Sequence, residues 1–192
     1  ELASECFMPL GYGGGIALPD DAHDLFSVGI EKVVIGRQST DLKLIATLAN
    51  NFGAQAVAAC MDCRRSGGGY SVFTDRASRK TADDVVAHAK ALEASGVGEI
   101  ILQNADLDGA RTGFDTDLIQ RVSNSIDIPL VALGGAGELS HLRTGLAAGA
   151  SAVASGSAFV FLGRLRAVLV TYPSPAELET LSVGIASGGE AT

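Results

Sequence analysis

Short runs dominated by Val, Ile, Leu and Ala alternate along the chain with longer stretches whose apolar residues recur at helical spacing. The runs predict strands over residues 8–12, 32–35, 54–62, 99–103, 129–133 and 152–155. The periodic stretches predict helices over 19–27, 40–51, 81–95, 115–124, 138–148 and 175–181, with Thr81 and Ser174-Pro175 as start signals. Nearly continuous apolar strands joined by single helices imply a parallel sheet covered on both faces. Residues 70–73 fit no βα unit and read as a small added ribbon, while 187–192 read as a flexible tail.

A comparison of the chain with itself decides the architecture. At a shift of 120 residues Pro9-Leu10 falls on Pro129-Leu130 and Gly14-Gly15 on Gly134-Gly135. In the same register Phe26, Gly29, Val33 and Gly36 fall on Leu146, Gly149, Val153 and Gly156. A repeated βαβ unit at that spacing predicts two halves of a (β/α)8 TIM barrel, of which this chain supplies about six βα units. Residues 1–186 are expected to form one partial barrel, strands 3 to 8 of the full fold, with the first two upstream of Glu1. A Rossmann or flavodoxin-like sheet predicts no such repeat.

Composition narrows the function. The formal charge is -8, from 14 Lys+Arg against 22 Asp+Glu, with no basic block. That excludes an electrostatic footprint for nucleic acid or anionic lipid. No apolar run reaches the roughly 18 residues of a membrane span, three cysteines argue against a disulfide framework, and a cytoplasmic location is expected. The 24 glycines exceed the usual share of about 7% and point to tight strand-to-helix turns.

The candidate chemistry lies at those turns. Gly13-Gly14-Gly15 and Gly134-Gly135 each end a strand and precede a helix, where bare N–H groups approach phosphate. The strands that follow them end in Gly36 and in Gly156-Ser157. Isolated glycine pairs more often relieve crowding, but repetition in register favours two related phosphate sites and a substrate carrying a phosphate at each end. Asp62 ends a strand whose period-2 neighbours Ala58 and Cys60 are small, as suits a proton-transfer carboxylate at a barrel mouth. Asp106-Leu107-Asp108-Gly109 is either a second acidic site or a simple Asx turn. Cys60 and Cys63 would face opposite sides of a strand, so no metal site is expected, and His23, His88 and His141 read as solvated helix residues.

These residues resemble a known family. Residues 9–16 (PLGYGGGI), 61–65 (MDCRR), 98–102 (GEIIL), 106–109 (DLDG) and 134–137 (GGAG) are similar, in order, to the motifs of the imidazole glycerol phosphate synthase cyclase subunit, HisF. The likeness runs from Glu1 to about Leu181. It implies a lyase that needs no cofactor. Such an enzyme takes ammonia from a HisH-type glutaminase partner in a heterodimer and reacts it with a ribulosyl bisphosphate. The products are imidazole glycerol phosphate, for histidine biosynthesis, and an aminoimidazole carboxamide ribotide. By that resemblance Asp62 is one of two catalytic aspartates, the other expected upstream. Gly15, Gly36 and Arg37 would hold one phosphate, and Asp108, Gly109, Gly135, Gly156 and Ser157 the other. Lys32 and Glu99 would form an ammonia gate at the opposite face, although in sequence they are ordinary charges at strand starts.

The chain also departs from the pattern. Gly36-Arg37 stands where the family has Asn-Thr, and Leu107, Ala110 and Leu133 replace an Arg, a Thr and a Ser. These changes, with the run over residues 167–174, resemble a paralogous branch that serves acetamidino modification of surface-polysaccharide sugars. A third reading is a non-catalytic barrel that binds and activates a glutaminase.

Overall fold

A computed structural model describes residue 5 and residues 8–75, 77–162 and 167–182. In chain order the strands are β1 (Gly11–Gly13), β2 (Lys32–Ile35), β3 (Val57–Ser66), β4 (Gly69–Thr74), β5 (Arg79–Ala82), β6 (Glu99–Asn104), β7 (Leu130–Leu133) and β8 (Ala152–Ala154), with a short pair β9 (Phe161–Leu162) and β10 (Ala167–Val168). The helices are α1 (Pro19–Ser27), α2 (Leu42–Phe52), α3 (Val85–Ala94), α4 (Thr116–Ser123), α5 (Leu139–Ala147) and α6 (Pro175–Ser182). Strands β1-β2-β3-β6-β7-β8 lie side by side, all parallel, in a curled sheet wrapped by helices, which is a partial TIM barrel.

The internal repeat is structural as well as sequential. Shifted by 120 residues, α1 superimposes on the boundaries of α5, and the first residue of β2 on that of β8. Even the connections match: the Glu31 N–H donates to the Leu10 carbonyl at 3.0 Å, as the Ser151 N–H does to Leu130 at 2.8 Å.

One face of the sheet makes the core. Val33, Ile35, Val57, Met61, Ile100, Leu102 and Leu130 are essentially inaccessible and belong to one apolar cluster with Ile45 and Leu48 of α2, Leu92 of α3 and Leu118 of α4. Each such side chain removed from water contributes about 1.5–3 kcal/mol. Helix starts are capped where sequence supplies an acceptor: Asp41, Asp84 and Asp115 each accept the N–H three residues on, and Ser174 and Glu177 cap α6 reciprocally.

Boundaries differ from expectation where tertiary pairing competes with local preference. Residues 54–56 are a 3-10 turn, so the third strand starts at Val57, and the first strand is shorter and later than expected. Thr81 does not cap a helix. It lies in β5, its hydroxyl donating to the Val72 carbonyl at 3.2 Å, and the helix begins after Asp84. The ribbon expected near residues 70–73 is the hairpin β4–β5, whose strand β4 pairs antiparallel along β3 from Asp62 to Ser66. The tail expected over 187–192 lies outside the described residues, as do residues 183–186 of the expected domain.

Candidate active site

Alternate residues of a barrel strand face the helices and the lumen. On β3, Met61 and Cys63 are buried towards the helices, whereas Cys60 and Asp62 are half-buried on the other side. On β6, Ile100, Leu102 and Asn104 are buried, and Glu99, Ile101 and Gln103 take the lumen side. The register sets Asp62 opposite Gln103 on one flank and Phe73 on the other.

Burial, and second the Asp108 carboxylate, raise the Asp62 pKa above the ordinary carboxylate value. A carboxyl so tuned holds its proton closer to neutrality, as a group that both donates and accepts protons requires. Beside it, burial and then Asp62 push the Cys60 thiol up to about 12, so it remains a thiol rather than a nucleophilic thiolate. That thiol donates towards Gln103 Oε1 at 3.9 Å, and Gln103 Nε2 donates to Asp108 Oδ2 at 3.4 Å. Asp106-Leu107-Asp108-Gly109 is an Asn-capped turn: the Asn104 side-chain carbonyl accepts from the Asp106 and Leu107 N–H groups, and Gly109 has φ +71°.

Two of the cavities at the C-terminal ends of the strands meet at Gly36 and Arg37. The larger, about 650 Å³, runs from the glycine loop at residues 13–15 past Gly36 and Arg37 to Cys60, Gln103 and Leu133 in the lumen. The smaller, about 330 Å³, is lined by Gly36, Arg37, Asp62, Phe73, Thr74 and Asp75. Gly36 and Arg37 wall both. The structure therefore brings Gly15, Gly36, Arg37 and Asp62 together. Gly109, Gly135, Gly156 and Ser157 lie on the loops after β6, β7 and β8 at the same rim, but not among the residues lining these two cavities.

At the opposite, N-terminal end of the strands, Lys32 Nζ donates to Glu99 Oε2 at 2.9 Å across β3, with both side chains partly exposed. The pair spans the strand over Ala58, whose register partners are Val34 and Glu99.

The histidines depart from expectation in two cases of three. His23 is exposed. His141 is three-quarters buried and its Nδ1 accepts the Gly137 N–H at 3.1 Å, bracing the loop after β7. His88 is half-buried in α3 with Nε2 inside, and burial lowers its pKa. Among the described residues no group of three or more His, Cys, Asp or Glu is placed to hold a metal ion, and no helix is long and apolar enough to cross a membrane.

Sequence reading missed Gln103 and Asp75. Period-2 counting from Glu99 would have found Gln103, whereas Asp75 reaches the site only through a hairpin register that no local pattern encodes.

Residues 1–165 match the family of histidine biosynthesis proteins. The chain belongs to that family. It is 44% identical over 186 residues to a protein of Pseudomonas aeruginosa provisionally named imidazole glycerol phosphate synthase subunit hisF2, covering 93% of this chain and 72% of that one. It is 36% identical over 184 residues to a provisionally named HisF subunit of Leptospira borgpetersenii, covering 94% and 72%. It is 40% identical over 163 residues to the imidazole glycerol phosphate synthase subunit HisF of Corynebacterium urealyticum, covering 83% and 64%. As a member of this family the chain is similar both to HisF subunits and to provisionally named HisF paralogues.

Proposed function

We propose that the protein is the cyclase subunit of an imidazole glycerol phosphate synthase. It uses ammonia from a glutaminase subunit to convert a ribulosyl bisphosphate into imidazole glycerol phosphate and an aminoimidazole carboxamide ribotide. The observation that carries this reading is the arrangement of one lumen. A carboxyl tuned towards neutrality, Asp62, stands at one mouth, and a charged pair, Lys32–Glu99, stands at the other. Asp62 moves the protons of ring closure and cleavage. Gly15, Gly36 and Arg37 hold one phosphate by N–H groups and a cation, and Asp108, Gly109, Gly135, Gly156 and Ser157 frame the other end. Lys32 and Glu99 admit ammonia from the partner's side.

The test is turnover. The protein is supplied with the ribulosyl bisphosphate and ammonium salt, and imidazole product is followed with Asp62→Asn as control. Product that disappears in Asp62→Asn supports the reading. A folded protein without turnover rejects it.

One observation favours the second reading, a paralogue delivering ammonia for acetamidino modification of surface sugars. Leu133 makes an apolar wall in the larger cavity where the HisF resemblance implies a Ser. In that case the bisphosphate gives no imidazole product, and the ammonia passes instead to the enzyme that forms the amidated sugar.

A further inference from the structure

We propose that Asp75 is a positioning residue for the phosphate end of the substrate, holding the Arg37 guanidinium as the wall between the glycine-loop cavity and the Asp62 cavity. This rests on reading the β2 end as a phosphate site.

Topology places Asp75 there. β2 pairs with β3 only as far as Ala59, and from Asp62 onward that edge of β3 is taken by β4. Because β4 runs antiparallel to β3, its last residues travel back towards the end of β2 and deliver Asp75 over Gly36-Arg37. The hairpin is fixed from its far side too: the Tyr70 hydroxyl donates to Asp115 at 2.8 Å, and Arg65 Nη2 pairs with the same carboxylate at 3.1 Å.

Asp75 then grips two arginines. Its Oδ1 takes Arg37 Nε at 2.8 Å and its Oδ2 takes Arg79 Nε at 3.0 Å. Both pairs engage the inner nitrogen of the guanidinium, which leaves its terminal nitrogens as donors. Three-quarters of the Arg37 side chain is exposed, so without a partner it would spread over many rotamers; the pair spends that entropy before an anion arrives. Two guanidinium groups share one carboxylate, so the Arg37–Asp75–Arg79 cluster itself carries one surplus positive charge, facing Asp62 across the smaller cavity. Asp75 also sits at φ +54°, a left-handed conformation that costs about 1–2 kcal/mol in most residues and is least unfavourable in Asp, Asn and Gly. Arg37 lines both cavities and Asp75 the smaller one, so the gripped side chain separates the glycine-loop N–H groups from Asp62.

The sign of one substitution separates positioning from bulk electrostatics. Removing a negative charge beside an anion site should tighten anion binding if charge alone matters, and weaken it if the carboxylate aligns the arginine. The probe is inorganic phosphate, titrated by calorimetry into the wild type, Asp75→Asn, Arg37→Ala and the double variant. Asn suits the same backbone, and each variant's thermal melt is recorded to establish folding. Asp75→Asn and Arg37→Ala are each expected to weaken phosphate binding about tenfold, the size of one charge-assisted contact. The double variant should be within about twofold of Arg37→Ala alone, because the two residues act as a unit. Equal or tighter binding by Asp75→Asn, effects that multiply in the double variant, or no saturable binding by the wild type overturns the proposal. Cyclase turnover with an unchanged KM in Asp75→Asn would also overturn it while leaving the proposed reaction standing. Coupled phosphate binding without turnover would keep Asp75's role and remove the reaction.

Discussion

Gly15 and Gly135 occupy equivalent positions of the internal repeat, yet the same substitution should have very different consequences at each. Both have positive φ, +73° and +111°, so an Ala incurs a left-handed cost of about 1–2 kcal/mol at either. Part of that is returned by the stiffer unfolded chain, about 0.4–1 kcal/mol. At Gly15 nothing lies within 4 Å of an added Cβ. The net cost of Gly15→Ala is therefore about 1 kcal/mol. At Gly135 the same atom would lie 2.1 Å from the Gly113 carbonyl oxygen and 3.3 Å from Leu107 Cβ. Relief means prising the loop after β7 from the loop after β6. That breaks the bond from the Gly113 N–H to the Gly135 carbonyl at 2.9 Å, worth about 1 kcal/mol, and adds about 1–3 kcal/mol of overpacking. Gly135→Ala should then cost about 3–5 kcal/mol. At about 2–4 °C per kcal/mol for a chain of this length, melting followed by circular dichroism should fall by about 3 °C for Gly15→Ala and by about 10 °C or more for Gly135→Ala. Equal shifts would refute the loop-to-loop contact as the source of the difference.

Other substitutions test other parts of the fold. Thr74 is almost fully buried and its hydroxyl has no hydrogen-bond partner, so Thr74→Val should stabilise the fold by about 1–2 kcal/mol, read as a higher melting temperature. Burial lowers the His88 pKa, so its neutral form is favoured by folding. Stability is full above the unfolded value of about 6.5 and declines as pH falls below it, and His88→Leu should abolish that slope in denaturant titrations. For Asp62 the sign is opposite. Its folded pKa is raised, so the contribution is full at acid pH and lost as pH rises through the folded value, and Asp62→Asn should have a higher urea midpoint than wild type at pH 7 while losing turnover.

Where the fold was legible, periodicity and repetition agreed. The self-match of the chain placed α1 on α5, and the structure repeats it to the residue, because both halves solve the same problem of covering a strand pair with one helix. Asp62 was readable because its small neighbours Ala58 and Cys60 marked a lumen-facing side. Thr81 misled because a good capping residue is also a good strand residue, and the choice was made by Val72 across the hairpin. His141 misled because a loop, not its own helix, buries it. Arg37 could be read as a cation but not as a gripped one: Asp75 lies far along the chain, and only the register of β3 with β4 brings them together.

The ten-residue length of β3 has a mechanical consequence. Asp62 does not hang from a loop beyond the sheet; its backbone sits between β6 and β4, laddered on both flanks. Amide hydrogens around it should exchange slowly, on the scale of global unfolding, while those of the glycine loop at 13–15 exchange through small local openings. The rim thus combines an almost immobile carboxyl with a compliant glycine loop, so the loop can yield without moving Asp62.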